Sequence, residues 1–294
     1  MRPISRRQFL QRGTVAAATL AATSLARPAS ATPLGQPIGL QLYTVGDALQ
    51  KDVSGTLTQL NTIGYRSVET AGFAGLTGKQ FRAALDAAGL ICYSAHLQMN
   101  TPDLGPVFDD AHAVGAHFAV CSAIFPSTAS SPPSLDDFKK LAALLNDIGQ
   151  RAKQAGLQYA YHNHNFEFRP FADGKFGYDT LLAETDPSLV DFELDCGWMV
   201  AAGHNPVEYF QKYPHRYKML HIQDFVAGSK ISTSLTIDRP QGTELGRGYI
   251  DYKPIFAAAA KTDVVHYYVE QEPPFPDMTS LEAAKVDYDY LLQL

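Results

Sequence analysis

From Ile38 onward, short apolar runs alternate with stretches of helical periodicity, and the alternation repeats eight times. The spacing predicts strands over 38–44, 65–70, 90–96, 117–122, 157–163, 189–195, 217–223 and 264–270. It predicts helices over 52–63, 77–88, 103–114, 134–155, 178–185, 206–212, 252–260 and 280–292. Gly64, Gly89, Gly115 and Gly156 stand where four of these helices stop, and Ser134 caps the start of the longest. No linker interrupts the series. Eight such units predict a (β/α)8 TIM barrel, a single domain over 32–294. A doubly wound open sheet is the alternative. It calls for a glycine-rich phosphate turn after the first strand, and Tyr43-Thr44-Val45-Gly46-Asp47 is not one.

The polar residues fall where a barrel needs them. Active sites of such barrels lie at the C-terminal ends of the strands. Here those ends carry Glu69, His96, His162 with His164, Asp195, His221 with Gln223, and Glu270 with Glu272, and no Lys or Arg. Desolvating several acids and histidines without partners is costly, and convergence on a divalent ion removes that cost. The densest cluster is Tyr161-His162-Asn163-His164-Asn165-Phe166-Glu167. Strand alternation puts His162 and His164 on one face, with Tyr161 and Asn163 opposite. Glu167 lies beyond, where the strand gives way to a loop.

Residues 1–31 read as a signal rather than as fold. Ser5-Arg6-Arg7-Gln8-Phe9-Leu10 has the twin-arginine pattern, a weakly apolar Ala-rich run follows, and Ala29-Ser30-Ala31 is a small-residue cleavage site. The run is too short and weak to span a membrane. The expectation is a mature chain from about Thr32 in a periplasmic or other extracytoplasmic compartment. The signal holds five of the 24 basic residues and no acid, which leaves 19 against 30 acids, a net charge of −11. Such a surface excludes nucleic acid as a partner, and no membrane contact is expected after cleavage. Cys92, Cys121 and Cys196 each adjoin an apolar run, and an odd count without framework spacing predicts buried free thiols.

Taken together, these stretches resemble the xylose-isomerase-like superfamily of sugar isomerases and epimerases, which includes tagatose 3-epimerases and inosose dehydratases. The subgroup most similar is the exported one described as sugar phosphate isomerase/epimerase. The resemblance spans the mature chain. It is carried by Gly39-Leu40-Gln41-Leu42-Tyr43, Tyr161 to Phe168, Glu193-Leu194-Asp195 with Trp198, His221-Ile222-Gln223-Asp224, Gly246 to Asp251, and Val269-Glu270. It implies one divalent ion (Mn, Mg, Zn or Co) held by ligands on the fifth to eighth strands. Asp195, His221 and Glu270 match the last three. At the first, a glutamate in the family, this chain has His162, and Glu167 is the nearby carboxylate that could replace it. Gln223 stands where relatives often carry Lys.

The resemblance implies chemistry beside a carbonyl. An ion polarises the carbonyl, a carboxylate or imidazole removes the α-proton, and its return elsewhere isomerises or epimerises the sugar. Glu270 is a candidate base as well as a ligand, and His164 is the second acid-base candidate, with Glu167 beside it. Glu69, His96, Trp198, Gln223 and Arg247 are candidates for substrate contact. His112, His117, His204, His215 and His266 carry no sign of a site role. The same proton abstraction would serve a lyase acting on 3-keto-glycosides. A non-catalytic sugar-binding barrel is the third reading, and the retained acids and histidines oppose it. The expected partner is a small carbohydrate, with a homo-oligomer of the chain left open.

Overall fold

The computed structural model describes residues 32–122 and 132–294. The twin-arginine signal and its cleavage site lie outside the described residues. The strands are β1 (Gly39–Gln41), β2 (Ser67–Ala71), β3 (Ile91–His96), β4 (Phe118–Ser122), β5 (Gln158–His162), β6 (Asp191–Asp195), β7 (Tyr217–Ile222), β8 (Asp224–Phe225), β9 (Gly242–Thr243) and β10 (His266–Val269). Eight of them close into a parallel barrel in the order β1, β10, β7, β6, β5, β4, β3, β2, with β1 pairing to both β2 and β10. The fold is the expected (β/α)8 barrel. Among the described residues, no helix is long and apolar enough to cross a membrane.

The helices form where periodicity and caps agree. Leu135–Gln154 starts with a capping box between Ser134 and Asp137. It buries Phe138, Leu141, Leu145, Ile148 and Ala152, spaced at threes and fours along one face. Inside the barrel, Phe118, Val120, Ala160, Met219 and Tyr268 form an apolar cluster of their own. Gly39 makes room for it, because a Cβ there would lie 2.5 Å from the Tyr268 ring. Above this plug the inward positions turn polar.

Three elements differ from expectation. The first strand is shorter, since Gln41 turns its side chain back to accept the Tyr43 N–H at 3.1 Å, and Leu42–Val45 becomes a 3-10 helix. A short helix, Cys196–Ala201, follows β6 at once, because the Asp195 carboxylate caps it by accepting the Trp198 N–H at 2.6 Å. The segment between β7 and the helix that starts at Tyr252, where the spacing predicts no strand, holds β8 and β9 paired antiparallel.

Asp224 holds that segment. Its Oδ1 accepts the N–H groups of Phe225, Tyr249 and Ile250, and its Oδ2 those of Gly246 and Gly248, at 2.9–3.2 Å. Gly248 is required by this contact, since a Cβ would sit 2.1 Å from Asp224 Oδ1. The Gly246-Arg247-Gly248-Tyr249 sequence is therefore a cradle for one buried carboxylate. Asp224→Ala strands several of these N–H groups and is expected to lower unfolding free energy by roughly 2–4 kcal/mol in urea titration. A change under about 0.5 kcal/mol, the range of neutral surface substitutions, would show that the segment is held otherwise.

Candidate active site

The Tyr161–Glu167 stretch divides its labour by alternation. Residues on one side pin the chain. Tyr161 donates its hydroxyl to Glu167 Oε1 at 2.8 Å, and Glu167 Oε2 accepts the His164 N–H at 2.9 Å. Asn163 Oδ1 accepts the Asp195 N–H at 3.1 Å, which ties the end of β5 to the end of β6. The Asn165 side chain donates to the carbonyls of Ser232 and Ser234 at 2.9 and 3.0 Å, which ties β5 to the segment after β8. Residues on the other side, His162 and His164, face the cavity, with ring centroids 5.1 Å apart.

His162, Asp195, His221 and Glu270 come together at the barrel mouth. All four are buried, and each offers one donor atom within 4.8 Å of the others. Register explains the convergence, because Asp195 pairs with His221 across β6 and β7, and Glu270 follows Val269, which pairs with Ile222. His221 Nδ1 lies 2.9 Å from Glu270 Oε2, and His162 Nε2 lies 4.0 Å from Asp195 Oδ2. Asp195 is fixed from both sides, since its other oxygen caps the Cys196–Ala201 helix and Gln223 donates its side-chain N–H to Oδ2. Two imidazole nitrogens and two carboxylates form a donor set suited to a divalent cation such as Mn²⁺, Zn²⁺ or Co²⁺.

A deeper layer lies below. Glu193 Oε2 is 2.8 Å from His96 Nε2 and 3.2 Å from both His162 Nδ1 and His221 Nε2. Glu69 Oε2 is 2.6 Å from His221 Nε2 and 3.2 Å from His96 Nε2, and it also accepts from Gln41 at 2.8 Å. The strand register shifts immediately before both Glu69 and Glu193. His96, His162, Glu193 and His221 thus form a second group of donor atoms within 4.8 Å, overlapping the first. Glu193 Oε1 is buried with no hydrogen-bond partner. Four carboxylates, Glu69, Glu193, Asp195 and Glu270, here face three imidazoles, and that excess of acid suits a cation.

Electrostatics separate the histidines. Burial pulls His162 well below the usual imidazole range and pulls His164 down to about 4, so both are neutral near pH 7. Burial acts the same way on His96, but Glu69 and Glu193 outweigh it and push that group up to about 10. Burial raises Glu167 to about 7 against the hydrogen bond from Tyr161.

A cavity of about 620 Å³ opens over the mouth, and His96, His162, His164, Glu270 and Glu272 line it. No Lys or Arg does so among the described residues. Of the five residues expected to contact substrate, only His96 lines it. Glu69 is fully buried in the deeper layer, Gln223 is spent on Asp195, and Trp198 is 1 % exposed, packed on Phe225. Arg247 pairs with Glu244 at 3.1 Å, away from the cavity. Glu167 stands apart from both donor groups, its two oxygens committed to Tyr161 and His164. Cys196 is buried and unpaired, as are Cys92 and Cys121. Sequence reasoning missed Glu193, although it sits two positions before Asp195 and so shares its face. It also left out Gln41 and gave Glu272 no role; Arg239 bonds Glu272 and lies 5.4 Å over the Trp198 ring.

The profile of the xylose isomerase-like TIM barrel matches residues 57–291. The chain belongs to this family. An inosose dehydratase from Clostridium botulinum is 32 % identical over 148 residues, which cover 47 % of this chain and 49 % of that protein. The chain thus spans about half the length of the curated relatives it matches. Two crystal structures of sugar phosphate isomerase/epimerases from Parabacteroides distasonis align over most of the barrel. One is 28 % identical with a TM-score of 0.70, covering 87 % of this chain and 93 % of that one. The other is 25 % identical with a TM-score of 0.72, covering 88 % and 98 %.

The geometry separates His162 from Glu167 by experiment. In Mn²⁺-loaded protein, His162→Ala is expected to lose bound manganese on gel filtration, while Glu167→Gln retains it. Elemental analysis that finds manganese kept by the first variant and lost by the second would reverse the assignment.

Proposed function

We propose that this protein is a divalent-cation-dependent isomerase or epimerase that moves the proton beside the carbonyl of an uncharged sugar or sugar derivative. The observation that carries this reading is one cavity lined at once by Glu270, from the buried four-residue donor set, and by His164, a neutral imidazole. The size and shape of the opening suit a small ligand. Its lining supports an uncharged one, because Asp110 and Glu270 would repel a phosphate, Glu272 already holds Arg239, and no Lys or Arg lines the cavity among the described residues.

His162, Asp195, His221 and Glu270 would hold the ion, which when bound supplies Lewis acidity to a carbonyl. The chain's own residues do the rest. His164 Nδ1 is buried without a partner, which leaves Nε2 as the nitrogen able to meet a substrate proton. The Glu167 carboxylate grips the His164 N–H and sets the backbone from which that ring projects. Glu270 Oε2 lies 2.9 Å from His221 Nδ1 and Glu270 lines the same cavity as His164, so a carboxylate and an imidazole flank the same space. Two groups so placed can take a proton from one carbon and return one to another position or face.

Elimination of water is the second reading, favoured by the match to inosose dehydratase. It uses the same first step and differs in what leaves.

With Mn²⁺-loaded protein in deuterated water, exchange of an α-proton is expected for at least one uncharged ketose, inosose or keto-glycoside. Isomer formation without loss of water supports the first reading, and loss of water the second. His164→Ala is expected to keep its manganese and lose roughly 100- to 10,000-fold in exchange rate. Sugar binding without exchange in any of these classes would instead identify a binding protein.

A further inference from the structure

His162 and His221 each stand between two layers of acid. His162 turns Nδ1 down to Glu193 Oε2 at 3.2 Å, and its Nε2 faces Asp195 Oδ2 at 4.0 Å. His221 turns Nε2 down to Glu69 Oε2 at 2.6 Å, and its Nδ1 faces Glu270 Oε2 at 2.9 Å. A neutral imidazole has one N–H and one lone pair, on opposite nitrogens. Whichever nitrogen gives its proton to a carboxylate leaves the other free to bind a cation.

We propose that Glu193 and Glu69 are positioning residues that each accept the inward N–H of one imidazole, so that His162 presents Nε2 and His221 presents Nδ1 to the ion at the mouth. The proposal rests on the reading that His162, Asp195, His221 and Glu270 hold that ion. Both carboxylates are fully buried, so water does not compete for these protons. Glu69 is itself anchored, accepting from Gln41 on Oε2 and from Ser94 on Oε1. Glu193 is anchored by His96 Nε2 at 2.8 Å. The two rings also belong to the deeper donor group with His96 and Glu193. Binding an ion there would need their opposite nitrogens, and neither ring can serve both places while it keeps a proton. The tautomers therefore decide which group holds the ion.

Long-range ¹H–¹⁵N spectra of the labelled mature protein read these tautomers, with signals assigned through His162→Gln and His221→Gln. In the metal-free protein, His162 is expected as the Nδ1–H form. In the zinc-loaded protein, zinc is expected on His162 Nε2 and His221 Nδ1. Zinc on His162 Nδ1 and His221 Nε2 would overturn the proposal and put the ion in the deeper group. If no zinc binds, the cation reading fails by itself, and the metal-free spectrum still decides the positioning role, with an Nε2–H form of His162 overturning it. Glu193→Leu is expected to weaken zinc binding about 10- to 100-fold and to mix the His162 tautomers, while Glu193→Gln, which keeps an acceptor oxygen, restores most of both. Unchanged affinity and tautomer in a folded Glu193→Leu protein would also overturn it. Should that variant not fold, the wild-type spectra remain decisive.

Discussion

Everything at the mouth of this barrel depends on keeping carboxylates and imidazoles in contact after water has been removed from both. Glu69, Glu193, Asp195 and His221 are wholly inaccessible, and His162 nearly so. A lone carboxylate in such a place would be neutralised by a proton or would destabilise the fold. Here each acid touches an imidazole or an amide, and His96 carries a charge because two acids flank it. The network still holds more acid than base. That imbalance is tolerable for a fold whose working state includes a cation, and wasteful for one whose working state does not.

The scaffold is built to keep that network in register. Parallel pairing sets Asp195 beside His221 and Gln41 beside Glu69. The strand register shifts immediately before Glu69 and Glu193, the two acids that lie deepest against the imidazoles. Outside the barrel, side chains that do no chemistry fix those that can. Asn163 joins two strand ends, Asn165 holds the segment after β8, and Asp224 gathers five backbone N–H groups in that same region. These bonds are directional and wholly or partly buried, so they specify one arrangement of the mouth more sharply than apolar packing does.

Much of this was legible in the sequence, because the periods of two and 3.6 that build a barrel are local. The alternation of strands and helices, the barrel and the inward face of His162 and His164 all follow from it. Depth does not. The spacing puts both Glu69 and His96 near strand ends, yet Glu69 lies inside β2 opposite Ser94, two residues deeper than His96, which pairs with Ala71 and reaches the cavity. Trp198 and Gln223 follow strands as substrate contacts would, but the Asp195 cap folds Cys196–Ala201 back and buries the first, while the second bonds to Asp195 itself. Arg247, expected to contact substrate, pairs instead with Glu244, and its flanking glycines serve Asp224. Glu193 was visible by alternation with Asp195 and went unused, because a strand interior gives no hint that an acid there has partners.

The central claim is that the mouth of the barrel is a prepared cation site. Anomalous diffraction at the manganese edge, from crystals of the mature protein soaked in Mn²⁺, tests it most directly. The expected result is one strong peak bounded by His162, Asp195, His221 and Glu270. A map with no peak inside the barrel at saturating manganese, or with its peak only at surface carboxylates, would contradict it.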